Sequence, residues 1–285
     1  MMHNTHLSLE QYEERLLAWF SPWQSCAVAL SGGVDSAVVA CAAYRTLGSR
    51  AVALTAVSPS VAADEIQAAQ HVAHTIGIRH LLVNTSEIAN PLYQRNEPDR
   101  CFHCKTELYQ RMLQHLANEP VDVLVNGTNA DDLGDYRPGI KAAENFQVRS
   151  PLAECGLGKN LVRQLAERWH LPVWNKPASP CLASRIAYGV PVTEERLAMI
   201  EQAERFLKAL HFSNVRVRLH PGHLARIEVP AEELGRMMEG QRFRDVVRRL
   251  KELGFTYVTL DLEGLRSGSL NQLLPIVEPG WPTRQ

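Results

Sequence analysis

Ala27-Val28-Ala29-Leu30-Ser31-Gly32-Gly33-Val34-Asp35-Ser36 decides how this chain is read. A short apolar run stops at two glycines, and a helical pattern begins at once with Ala37-Val38-Val39-Ala40. In physical terms this is a strand, a tight turn and a helix N-terminus. The glycines let backbone amides approach a ligand and permit turn conformations that a side chain hinders. The first amides of a helix have no partner within it, and the macrodipole adds positive potential there. With hydroxyls from Ser31 and Ser36, the stretch reads as a phosphate cradle. The G-x-x-x-x-G-K-S/T spacing and its lysine are absent, as is G-x-G-x-x-G.

Outward from this stretch, strand and helix patterns alternate. Ser8 to Phe20 reads as a helix, with Ser8 and Gln11 as a capping box. Strands are expected at Ser25–Leu30, Ala51–Val57, Arg79–Val83 and Val121–Val125, with helices through Tyr44 and over Ala62–Ile76 between them. Such alternation argues for α/β architecture, a parallel sheet with helices on both faces. Ligands of such sheets bind beyond the carboxyl ends of the strands. Asn126-Gly127-Thr128-Asn129 falls at such an end, as does the glycine turn. A long polar loop, Asn84 to Arg100, leads into Cys101-Phe102-His103-Cys104-Lys105 and a helix to about Leu116; loops this long are usually functional. Lys141–Asn145 and Asn160–Trp169 read as helices, and Trp174 to Gly189 as irregular.

The pattern changes near residue 190. Thr193 caps a helix over Glu194–Leu210, and Val215, Val217 and Leu219 alternate with Arg216 and Arg218 as a half-buried strand. Pro221-Gly222 turns the chain into a second strand; a helix broken near Gly240 and a last strand, Phe255–Leu262, follow. The expected organisation is a domain over 1–190, a smaller α+β domain over 191–270, and a loose tail over 271–285.

The 285 residues are 45% hydrophobic and 21% charged, with a net charge of -1. That composition suits a globular protein and gives no electrostatic reason to expect nucleic acid. Met1 to Leu7 is polar, without an apolar signal-peptide core, and no apolar stretch is long enough to span a bilayer. The expectation is a cytoplasmic protein, off the membrane, whose six cysteines stay reduced.

Three of those cysteines sit where chemistry is expected. Cys101-x-x-Cys104 at a helix start suits thiolate ligands, a redox pair or two structural cysteines. Zinc wants four ligands and no second Cys-x-x-Cys exists; His103 could close a zinc site instead, although between the two cysteines on a helix it points away from both. Cys181, in Pro180-Cys181-Leu182-Ala183-Ser184-Arg185, is the third thiol if the fold brings it near. By count, three thiolates suit a [4Fe-4S] cluster with one open iron. Ser184 and Arg185 can hold an anion. Cys26, Cys41 and Cys155 read as packing residues. Asn126 to Asp132 reads either as a nucleotide or metal site or as a loop of Asx turns. Arg216, Arg218 and Arg226 are either a solvated face with Glu228 as partner or a guanidinium cluster gripping a phosphate.

Ser31-Gly32-Gly33-Val34-Asp35-Ser36 resembles the PP-loop of the ATP pyrophosphatase superfamily, whose members split ATP between its α and β phosphates. Taken with Arg100-Cys101-x-x-Cys104-Lys105, Asn126 to Asp132, Asp135-Tyr136-Arg137-Pro138-Gly139, Ser150-Pro151-Leu152, Pro180 to Arg185 and Tyr188-Gly189, the chain resembles the LarE family over nearly its whole length. The resemblance implies an ATP-dependent sulfurtransferase that adenylates a carboxylate of pyridinium-3,5-biscarboxylic acid mononucleotide. A thiocarboxylate for the nickel-pincer nucleotide cofactor follows, with AMP and pyrophosphate released. It implies ATP on Ser31, Gly32, Gly33, Ser36, Asn126, Gly127 and Thr128, and Mg²⁺ near Asp35. It places substrate or phosphate on Lys105, Ser184, Arg185, Glu204, Arg216 and Arg218. Family members deliver sulfur either from one sacrificial cysteine, here Cys181, or from a [4Fe-4S] cluster on three, here Cys101, Cys104 and Cys181; having all three predicts the cluster type. A homo-oligomer, often a hexamer, is also implied. The other readings are a PP-loop tRNA thiolase, a PP-loop amidotransferase-type ligase that leaves the cysteines idle, and a non-catalytic nucleotide-binding regulator.

Overall fold

The structure, a computed structural model, describes residues 7–134, 138–212, 214–266 and 270. Asp135, Tyr136 and Arg137 of the sequence motif, and the tail 271–285, lie outside the described residues. Along the chain run α1 (Leu9–Phe20), β1 (Cys26–Ala29), α2 (Val34–Leu47), β2 (Ala51–Val57), α3 (Ala63–Ile76), β3 (Arg79–Asn84), α4 (Pro91–Gln94), α5 (Arg100–His115), β4 (Val123–Val125), α6 (Pro138–Asn145), α7 (Pro151–Glu154), α8 (Lys159–Arg168), α9 (Glu194–Ala209), β5 (Arg216–His220), β6 (Leu224–Glu228), α10 (Leu234–Met238), α11 (Arg242–Glu252) and β7 (Tyr257–Leu260). The chain divides into two compact units, Met1–Asn90 with Cys101–Pro180, and Pro91–Arg100 with Cys181–Gln285.

The first unit is built on a parallel sheet of order β3-β2-β1-β4. The two faces of β1 read directly from its sequence. Cys26 and Val28 pack with α1, α2, α3 and α8, whereas Ala27 and Ala29 pack with Leu108, Tyr109 and Met112 of α5 and Ala142 and Ala143 of α6. All four residues of β1 are buried, which is why its sequence is an unbroken apolar run rather than an alternation. Helix α2 follows the same logic. Ala37 to Ala40, Ala42 and Ala43 are all fully buried, so the helix is apolar around its circumference. The fold is the PP-loop α/β fold, as the sequence predicts.

Strand order fixes where a ligand can go. β2 lies on one side of β1 and β4 on the other, so the chain leaves the carboxyl ends of β1 and β4 around a switch point. The glycine turn follows β1 and Asn126–Asn129 follows β4.

The second unit carries a three-stranded sheet of order β5-β6-β7, with β5 and β6 antiparallel and β6 and β7 parallel. Thr193 caps α9 by accepting from the Arg196 amide at 3.3 Å. The long polar loop contains a short helix, α4, and from Pro91 to Arg100 it belongs to this unit, its earlier part to the first. Among the described residues no helix is long and apolar enough to cross a membrane. Leu54 of β2 is fully buried in the core on the α5 side. Leu54→Ala should cost about 2–5 kcal/mol in urea unfolding followed by circular dichroism.

Candidate active site

In the first unit the glycine turn is held by its own hydroxyls. The Ser31 and Ser36 side chains lie 3.0 Å apart, Ser36 Oγ accepts from the Ser31 amide at 3.1 Å, and it donates to the Gly33 carbonyl at 3.1 Å. Both hydroxyls thus shape the loop. Gly33 is the N-cap of α2, and no side chain among the described residues caps that helix. Its first amides therefore face outward without a competing protein acceptor at the cap, the condition for binding an anion.

Two backbones press on this loop. Gly32 has φ +77°, and a Cβ there would stand 2.7 Å from the Glu65 carbonyl oxygen and 2.9 Å from the Ala69 amide of α3. A Cβ on Gly127 would stand 2.7 Å from the Ser36 amide. The segment after β4 therefore lies directly against the first turn of α2. Within it, Asn126 Oδ1 accepts from the Thr128 amide at 2.9 Å and from Ser150 Oγ at 3.0 Å. The Asx-turn reading of this segment is thus realised, and the same turn sets Gly127 and Thr128 beside the loop.

Asp35, in the first turn of α2, takes a hydrogen bond from Asn129 Nδ2 at 3.1 Å and an ion pair from Lys159, the first residue of α8. Lys176 donates to the Gly32 carbonyl at 3.1 Å and pairs with Glu65 at 2.7 Å. Arg163 of α8 clamps the strand of chain that carries it, donating to the carbonyls of Trp174 at 3.2 Å and Lys176 at 3.0 Å. In the same unit Cys101, Cys104 and Lys105 sit in the first turns of α5. Spacings of three and four put them on one helix face. Cys101 is exposed and Cys104 half-buried, and neither forms a disulfide. By contrast Cys26, Cys41 and Cys155 are buried, and burial pushes the Cys26 thiol up to about 12, so these three are packing residues.

The second unit assembles the rest of the predicted residues. After the exposed Cys181, Leu182–Arg185 forms a 3₁₀ turn. The chain then bridges β5 through Ile186 and Leu219, with the Ala187 amide donating to the Leu219 carbonyl at 2.9 Å. Arg185 reaches both oxygens of Glu204, at 3.0 and 3.3 Å, and donates to the Cys181 carbonyl at 3.2 Å and Ser184 Oγ at 3.1 Å. Glu204 also accepts from the Val217 amide at 3.1 Å, locking α9 to β5. Arg218 donates to Glu228 at 3.0 Å and to the Ser184 carbonyl at 3.0 Å, and Arg226 donates to the other oxygen of Glu228 at 3.0 Å.

This corrects the solvated-face reading of the arginine hairpin. Arg218 is 4% exposed and Glu228 fully buried. The 3₁₀ turn carries Ser184 onto that face, so the charges alternate with apolar residues in sequence yet both faces of the strand are covered. The guanidinium groups of Arg185, Arg216, Arg218 and Arg226 cluster with the carboxylates of Glu204, Glu228 and Asp261, the last 3.6 Å from Arg226. Burial, and then the Arg218 and Arg185 cations, hold the Arg216 pKa below the usual guanidinium range. Guanidinium groups so clustered have the chemistry to bind an anion.

Comparison with known proteins agrees with this geometry. The family profile described as asparagine synthase matches residues 24–213. An uncharacterized protein of Synechocystis sp. is 45% identical over 266 residues, 93% of this chain and 99% of its own. The pyridinium-3,5-bisthiocarboxylic acid mononucleotide synthase of Lactiplantibacillus plantarum, a LarE protein, is 36% identical over 91% of this chain and 93% of its own. The chain belongs to the LarE family. The tRNA-specific 2-thiouridylase of Wolbachia pipientis is 29% identical over 60% of the chain and 56% of its own length, a more distant likeness.

Three residues of this LarE-family chain escaped the sequence reading, and a fourth, Arg100, entered it only as part of the Cys101 motif. Lys159 and Lys176 reach the loop from 123 or more positions away, and neither lies in a motif. Asn96 is fully buried at φ 56° and donates to the Ile186, Ala187 and Val190 carbonyls at 3.3, 2.8 and 2.9 Å. Arg100 donates to the Ala183 carbonyl at 2.9 Å. Together these two hold the Cys181 segment from the long polar loop, whose length was the one available signal. Among the described residues no three His, Cys, Asp or Glu side chains are gathered as a metal site; Cys101 and Cys104 belong to one unit and Cys181 to the other.

Two substitutions test these contacts. Gly127→Ala should overpack the loop and cost about 1–3 kcal/mol in thermal unfolding. Glu228→Ala removes the carboxylate shared by Arg218 and Arg226 and should cost about 3–5 kcal/mol, with Glu228→Gln less severe.

Proposed function

We propose that the protein is an ATP-dependent sulfurtransferase of nickel-pincer nucleotide cofactor biosynthesis. It adenylates a carboxylate of pyridinium-3,5-biscarboxylic acid mononucleotide and converts it to a thiocarboxylate, releasing pyrophosphate and AMP. One observation carries the reading. A chain alignable over nine-tenths of its length with a named synthase keeps an uncapped PP-loop helix in one unit, and an exposed Cys181 beside an arginine-rich anion site in the other.

The chemistry follows from the residues. A carboxylate is a poor electrophile, and adenylation gives it a phosphate leaving group. The carboxylate oxygen forms a bond to the α phosphorus, and the bond to pyrophosphate breaks. Ser31, Gly32, Gly33 and Ser36 shape the cradle, and the α2 amides donate to the phosphates as charge develops. Asn126, Gly127 and Thr128 form the wall of the nucleotide site. Asp35 suits Mg²⁺, which when bound neutralises the departing pyrophosphate. Arg216, Arg218, Arg185 and Ser184 hold the substrate phosphate, with Glu204 fixing Arg185, and Lys105 supplies a further cation. A sulfur nucleophile then bonds to the acyl carbon and AMP leaves.

The thiols fit the sulfur step: Cys101 and Cys104 are one helical turn apart, neither in a disulfide, and Cys101 and Cys181 are exposed. A [4Fe-4S] cluster on these three, when bound, supplies a labile sulfide. The reading includes a cytoplasmic homo-oligomer, a hexamer as in the resembled family, acting on a small-molecule nucleotide rather than nucleic acid.

ATP–pyrophosphate exchange should depend on the carboxylate substrate, and exchange that ignores it argues for a regulator instead. Protein purified without oxygen should hold iron and acid-labile sulfide near one cluster per chain, lost in Cys181→Ala. Iron-free protein under reconstituting conditions, with Cys181 converted to dehydroalanine by intact mass after reaction, would replace the cluster with sacrificial donation.

A further inference from the structure

The phosphate loop contains no lysine, yet the group leaving it is a polyanion. Amide dipoles offset only part of that charge. The tertiary structure brings a cation from outside the motif. Lys159 opens α8, and its amide donates to Asp131 Oδ2 at 2.7 Å, which fixes where its side chain begins. The ammonium then pairs with Asp35 Oδ2, while Asn129 Nδ2 holds Asp35 Oδ1 at 3.1 Å. The Lys159 side chain keeps 35% of its surface exposed. An ammonium has three donors, and a single carboxylate oxygen occupies one of them.

Lys176 also touches the loop, but its charge is balanced differently. It is paired with Glu65 of α3, a residue with no assigned part in the chemistry. Lys159 is balanced by Asp35, the carboxylate best placed for the divalent ion. A dication at Asp35 would compete with the ammonium for one anion. An ammonium displaced there would be left without its counterion.

We propose that Lys159 is the pyrophosphate-binding cation of this site, holding Asp35 with one donor in the free protein, giving its remaining donors to the β and γ phosphate oxygens, and leaving Asp35 for those phosphates when metal-bound nucleotide takes that carboxylate. The proposal rests on the ATP reading above. No covalent bond changes at Lys159; it stays protonated throughout and shifts from one anion to another. Its contribution is greatest after the bond to the α phosphorus breaks, when charge on the pyrophosphate is highest. It follows that metal and Lys159 are coupled, each altering the affinity of the site for the other's partner.

The test is isothermal titration of the full chain with inorganic pyrophosphate and with ATP, each with and without Mg²⁺, on wild type, Lys159→Met, Lys159→Gln and Lys159→Arg. Both neutral variants should bind metal-free pyrophosphate about tenfold to a hundredfold more weakly, the range of a hydrogen bond to a charged group. Lys159→Arg should recover part of the loss. The Mg²⁺ concentration for half-saturation with ATP should fall in the neutral variants, because Asp35 is no longer held by an ammonium. A purely structural lysine would move thermal stability without moving this metal dependence. Wild type that binds both ligands, with neutral variants that bind pyrophosphate equally well, overturns the assignment alone. Wild type that binds neither ligand overturns the nucleotide reading and this assignment together.

Discussion

The first unit depends on a close approach of backbones at the end of β1. Gly32 lies against the main chain of α3, and Gly127 lies against the first turn of α2; at each, a Cβ would come within 2.7 Å of a backbone atom. The parallel sheet makes this approach possible, because β1 and β4 are neighbours whose following segments emerge at the same edge. With side chains excluded, the amides that begin α2 face whatever occupies the cradle. The loop hydroxyls, the Asx turn at Asn126 and the Lys176 contact all hold that arrangement without filling it.

Charge is distributed differently in the two units. Around the PP-loop, Lys159 pairs with Asp35 and Lys176 with Glu65. In the second unit, Arg185, Arg218 and Arg226 are held by Glu204, Glu228 and Asp261. Buried carboxylates here orient guanidinium groups, since Glu204 and Glu228 each hold one edge of an arginine through a directional bond. Side chains held that way are organised in advance, which would limit the reorganisation that binding there requires.

The Cys181 segment shows how a loop acquires a fixed position. Its prolines stiffen it, but the contacts that place it come from elsewhere: Asn96 and Arg100 from the long polar loop, Glu204 from α9, and Leu219 and Arg218 from β5. Asn96 holds three carbonyls from a left-handed backbone conformation that asparagine tolerates better than most residues. An exposed thiol on a loop thereby gains the rigidity of a strand edge.

Local sequence determined most of the architecture. The capping box at Ser8 and Gln11, the cap at Thr193, the unbroken apolar run of β1 and the alternation in β5 each act within a few residues, and each appears where the pattern places it. The PP-loop and the cysteine segments were legible for the same reason, because their chemistry is set by neighbours in the chain. What the tertiary structure decided are pairings across long separations. Lys159 on Asp35, Lys176 on Gly32 and Asn96 under the Cys181 segment join residues whose individual identities are ordinary. The arginine hairpin belongs with them: alternation said that one face was polar, and only the covering turn at Ser184 made that face a buried, pre-oriented cluster of arginines and carboxylates. Periodicity reports which side chains share a surface, and nothing in it reports what another part of the chain lays over that surface.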